Sequence, residues 1–90
     1  MEKLKMVKVI NMFREFTMFN VSGYIELPDW QKDLFDATYK KHLSSMEINE
    51  RICYTENQIA KIVGEESIIR VYFQNKDCFF YLPGKKWVKM

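Results

Sequence analysis

One histidine, His42, two cysteines, Cys53 and Cys78, and the aspartates Asp29, Asp33 and Asp36 are the residues of this 90-residue chain whose types could do chemistry. Nucleophilic catalysis needs a nucleophile, a base and a group that orients the base. His42 falls on or beside the apolar stripe of a helix, where a histidine is a core or helix-end residue. A zinc site needs closely paired ligands, and His42, Cys53 and Cys78 stand in three unrelated segments. The three aspartates occupy the early turns of one helix, where carboxylates complement the dipole and stay solvated. The glycines Gly23, Gly64 and Gly84 are isolated, so no glycine-rich phosphate loop is present. Enzyme activity, a metal and a cofactor are therefore not expected.

Two stretches point instead to binding. The segment Gln58, Ile59, Ala60, Lys61, Ile62, Val63, Gly64 resembles the first helix and turn of a helix-turn-helix over about seven residues. It departs from that pattern at once. Glu65 stands where an apolar residue belongs, and residues 67–73 have strand composition where a recognition helix is wanted. Residues 47–66 also carry five glutamates against Arg51 and Lys61. Phosphate binding requires the opposite sign.

The C-terminal stretch is the better candidate. Arg70, Lys76, Lys85, Lys86 and Lys89 are interleaved there with Tyr72, Phe79, Phe80, Tyr81 and Trp87. On a strand, Arg70 and Tyr72 share one face while Ile69, Val71 and Phe73 share the other. With the second set against the helices, Arg70 and Tyr72 look outward, joined by Tyr81 or Phe80, by Trp87 and by the terminal lysines. Arg70, Tyr72, Tyr81, Lys85, Lys86, Trp87 and Lys89 are the expected partner-binding residues. Tyr, Trp and Arg make hot spots in protein interfaces, and aromatics among basic residues also suit single-stranded nucleic acid. The plainer alternative is that the aromatics are core and the lysines solvate its rim.

The elements that must position these residues follow from local signals. Pro28 and Asp29 open a helix over 29–45, with acidic residues early and Lys40, Lys41 and His42 late. Its apolar stripe is Leu34, Phe35, Thr38, Tyr39, His42 and Met46. Thr55 and Gln58 read as a capping box for a second short helix carrying Ile59, Ile62 and Val63 and stopping at Gly64. Residues 67–73 and 78–82 make a hairpin around the polar turn Asn75, Lys76, Asp77. Pro83 and Gly84 then turn the chain toward Trp87, Val88 and Lys89 as a third strand. In the first third, strands over 4–12 and 16–27 are favoured over one long helix, because Thr17, Phe19, Val21, Gly23, Ile25 and Leu27 alternate with more polar residues. The fold class is then α+β, a small antiparallel sheet with two helices on one face in the order ββααββ(β). The competing order is a winged-helix-like α-β-α-α-ββ.

Composition sets the outer bounds. A chain of 90 residues is read as a single domain over 1–90. Seven Phe, five Tyr and two Trp are enough for a core without staples. Formal net charge is +2 but uneven: residues 1–23 carry +2, 24–66 carry −4 and 67–90 carry +4. No apolar run approaches the roughly 20 residues of a membrane span. The charged opening lacks a secretory apolar region, so reduced cysteines and a cytoplasmic location are expected. A protein partner is expected first, because net charge is low and the middle of the chain acidic. Nucleic acid is the alternative, and an exposed edge strand could pair two copies. The bias toward Lys, Ile, Asn, Phe and Tyr is that of an AT-rich coding sequence. By association, small proteins of this kind are frequent inhibitors in phages and mobile elements.

Overall fold

In the computed structural model, residues 21–90 are described. Pro28 adopts extended backbone and its carbonyl accepts from the amides of Gln31 and Lys32, which starts helix α1, Asp29–Ser44. The helix ends where the Ser45 amide turns back to the carbonyls of Lys41 and His42. Gln31, Phe35, Thr38, Tyr39 and His42 form its buried stripe. A one-turn helix, α2 (Ile48–Arg51), and two 3-10 turns at Ile52–Tyr54 and Glu56–Gln58 follow. Tyr54 fastens this connecting segment: its carbonyl accepts from the Tyr39 hydroxyl, and its own hydroxyl donates to Asp77.

The rest is a four-stranded antiparallel meander in the order β1 (Ile59–Gly64), β2 (Ile69–Phe73), β3 (Cys78–Leu82), β4 (Lys86–Lys89). The class is α+β as expected, but the element order is not. Over the described residues it is ααββββ, with the helices ahead of every strand.

The second helix expected from the capping box is replaced by a strand. Thr55 turns its hydroxyl to the Asn57 side chain, and only a 3-10 turn forms before the backbone extends at Ile59. Ile59 and Ile62 are both buried although three apart, because the register of β1 shifts between Ile59 and Lys61. Such a bulge lets two positions of helical spacing share one face of a sheet. With 59–64 in the sheet, neither a helix-turn-helix nor the winged-helix order remains.

The expected strand over 16–27 is also corrected where it is described. Residues 21–27 make successive turns, with Tyr24 N–H bonded to Val21 O and Leu27 N–H to Tyr24 O, each at 3.1 Å. Every third residue therefore faces the core: Val21 partly, Tyr24 and Leu27 fully, while Ile25 points to solvent. The strand expected over 4–12 lies outside the described residues.

The core sits between α1 and one face of the sheet. Phe35 stacks on Tyr39 at 5.3 Å and meets Tyr24 edge-on and Tyr81. Ile62, Ile69, Val71, Phe73 and Phe79 close it from below. Tyr24 donates its hydroxyl to the carboxylate of Asp36, 3.1 Å away.

Candidate contact face on the sheet

Strand alternation divides the sheet cleanly. Ile69, Val71 and Phe73 of β2 are buried, while Arg70 and Tyr72 between them are half-exposed. Register carries this division across the other strands. Val63, Arg70, Phe80 and Val88 are successive partners and form one row across all four strands. Lys61, Tyr72 and Cys78 form the neighbouring row, and Lys86 lies opposite Leu82 at the end of the same face. Val63 and Val88 are 36% and 50% exposed, so the row begins and ends on aliphatic side chains that reach solvent.

The charges on this face are arranged over its rings. Lys61 Nζ stands 4.8 Å from the centroid of Tyr72, and the Arg70 guanidinium 5.6 Å from that of Phe80. Cation–π contacts of this kind attract each charge to the ring beside it. Arg70 Nε also pairs with Glu65 at 2.8 Å. The Tyr72 hydroxyl, and after it Glu65, hold that guanidinium even more firmly charged than usual. Cys78 is buried beneath the same row, and burial pushes its thiol pKa up, so it behaves as a small apolar residue.

The expected contact residues divide between two places. Arg70, Tyr72 and Lys86 lie on the outer face. Tyr81 does not: it is fully buried on the helix side, and Phe80 takes the outward position. Trp87 also turns toward the helix, its ring 5.0 Å from that of His42. Lys85 sits in the β3–β4 turn with φ +57°, and Lys89 reaches Asp77 at 3.5 Å. Lys61, Val63 and Val88 were missed as contact residues. The capping-box pattern places the first two in a helix, although β-branched Ile59, Ile62 and Val63 around Lys61 favour a strand.

His42 is enclosed by aromatics, with Phe79 edge-on at 4.4 Å and Tyr54 and Tyr81 further out. Its Nδ1 shares a 2.8 Å hydrogen bond with the Tyr81 hydroxyl. Burial lowers the imidazole pKa from 6.5 to about 4 and raises that of the Tyr81 phenol, so both are neutral near pH 7. This pair serves the core. Among the described residues, no group of three or more His, Cys, Asp or Glu could hold a metal ion, and both cysteines are free. No described helix is long and apolar enough to cross a membrane.

Comparison with known protein families, characterised proteins and solved structures finds no match to this chain.

Proposed function

We propose that this chain is a non-catalytic binding protein that engages a protein partner through the outer face of its sheet. It works as a regulator or inhibitor by covering the partner's own surface. The observation that carries this reading is the row Val63, Arg70, Phe80 and Val88, exposed at its two ends and half-exposed between them. Aliphatic, aromatic and guanidinium groups in one line have the composition of an interface centre.

Nucleic acid is the weaker reading for a specific reason. Stacking needs free ring faces and phosphates need free cations. Here Lys61 and Arg70 already stand over Tyr72 and Phe80, and Arg70 is paired with Glu65. A cytoplasmic inhibitor encoded by a phage or mobile element fits the composition, by association alone.

The test is affinity capture from a nuclease-treated host lysate with the wild type, Val63→Glu and Val88→Glu. Both positions are exposed, so the variants keep the fold, as circular dichroism would verify. The expected result is a protein retained by the wild type and lost by both variants. Retention by both variants would refute the outer face as the contact. A captured species that disappears with nuclease, or an oligonucleotide affinity falling steeply with salt, would favour the nucleic-acid reading.

A further inference from the structure

The two edges of the sheet differ. At β1, the outward amide of Ile62 donates to Ser22 O at 2.7 Å, and Gly23 lies so close to the Ile62 carbonyl that a Cβ there would come within 1.8 Å of its oxygen. That edge is occupied by the chain's own turn. At β4, the Met90 amide bonds inward to Cys78 O. Antiparallel alternation then turns the N–H and C=O groups of Val88 inward as well, and those of Trp87 and Lys89 outward. Among the described residues, nothing pairs with them.

Beside this edge is a cleft of about 370 Å³ lined by Lys41, Leu82, Lys85, Lys86, Trp87 and Val88. Its floor is apolar, and its charged groups are three lysines, from α1, the β3–β4 turn and β4. No ion pair joins any of the three to a carboxylate among the described residues. Val88 belongs to both this cleft and the outer-face row, so the two surfaces are continuous. Four strands at about 4.8 Å spacing make the outer face only about 14 Å across. A stable contact needs roughly 800 Å² per partner, so a partner held there has to extend past an edge.

The geometry points to β4 as a docking edge for an extended acidic segment of a protein partner, which adds as a fifth strand and places an apolar side chain in the Trp87 cleft. This deepens the proposed function and rests on it. The backbone groups of Trp87 and Lys89 match a peptide, whereas a nucleic-acid backbone offers no such ladder. One face of the Trp87 ring is taken by His42, and the cleft lies beside the rest of the ring. A second copy of this chain would bring a second set of Lys85, Lys86 and Lys89 beside the first along β4, and this like charge opposes self-pairing.

The experiment titrates the ¹⁵N-labelled full chain at low salt with an acetylated, amidated octapeptide of alternating glutamate and valine. The matching lysine–valine peptide and an eight-residue oligothymidylate are the controls. The expected result is movement of the Trp87 indole signal (assigned with Trp30→Phe), with new exchange protection at the Trp87 and Lys89 amides and none gained at Val88. Lys85→Glu/Lys86→Glu should weaken binding about tenfold or more, and Lys41→Gln about threefold, as charge-reversal and charge-removal variants at a basic site do. The Lys41 variant decides the matter if the double variant does not fold. Peptide binding without protection at Trp87 and Lys89, equal binding of the lysine peptide, or a response to the oligonucleotide alone would each overturn the proposal. Binding that survives Val63→Glu while that variant still captures the partner would leave the edge standing and remove the outer face. Loss of the edge response with capture still sensitive to Val63→Glu would do the reverse.

Discussion

Acidification should unfold this protein earlier than its carboxylates alone require, and His42 is the reason. In the folded chain the imidazole is enclosed by Phe79, Trp87, Tyr54 and Tyr81, and burial lowers its pKa from 6.5 to about 4. The unfolded chain therefore binds a proton below pH 6.5 that the folded chain refuses until about pH 4. Stability from this group is fully present above pH 6.5 and is lost as pH falls toward 4. At roughly 1.4 kcal/mol per pH unit, the whole gap is about 3 kcal/mol, of which about 2 kcal/mol is gone by pH 5. For a domain whose total stability is on the order of 5–10 kcal/mol, that is a large share. Asp77 works in a separate window. The Tyr54 hydroxyl, and then Lys89, hold its carboxyl below the usual 3.8, so its contribution is lost only at lower pH. Urea unfolding followed by tryptophan fluorescence at pH 7, 6 and 5 reads the effect. The wild-type midpoint should fall by about 1–2 M between pH 7 and 5. His42→Gln keeps a hydrogen-bonding side chain beside Tyr81 but does not titrate, and its midpoint should stay nearly level over the same range. Parallel loss in both proteins would refute the enclosed neutral imidazole.

Two backbone positions give further tests. Gly23 has φ +91° and abuts the Ile62 carbonyl, so Gly23→Ala should lower stability by about 2 kcal/mol or more, measured as a drop in Tm; an unchanged Tm would mean that the 21–27 turn does not hold β1. Lys76 occupies a left-handed position, φ +77°, in the β2–β3 turn where glycine is usual. Lys76→Gly should raise stability by up to about 1 kcal/mol and Lys76→Val should lower it, both read by thermal melts.

Local signals made some of this structure legible and tertiary ones hid the rest. α1 could be placed nearly to the residue because Pro28, the early aspartates and the late basic residues mark its ends in sequence. The β2–β3 hairpin was readable from β-branched and aromatic runs flanking one polar turn. β1 was not, because its bulge places Ile59 and Ile62 on one face and so copies the helical period. The 21–27 turns escape the alternation pattern for the related reason that successive three-residue closures bury Tyr24 and Leu27, and Val21 partly, while leaving an apolar Ile25 outside. On the candidate face, Arg70 and Tyr72 followed from alternation within one strand. The choice between Phe80 and Tyr81 did not, since adjacent aromatics point opposite ways and only register against β2 decides which is buried. Lys61 and Val63 came to the face only through β1, so they were hidden with it.

The turn at Ser22 and Gly23 has a consequence for how this protein behaves when crowded. Sheet proteins form fibres when each molecule offers two open edges, so that every addition leaves a new one. Here the turn fills the middle of β1, and among the described residues β4 is the remaining open side. Joining two molecules at β4 consumes both open edges and leaves nothing for a third. Edge-to-edge growth through these four strands, where like charges along β4 do not already prevent it, would therefore terminate at a pair.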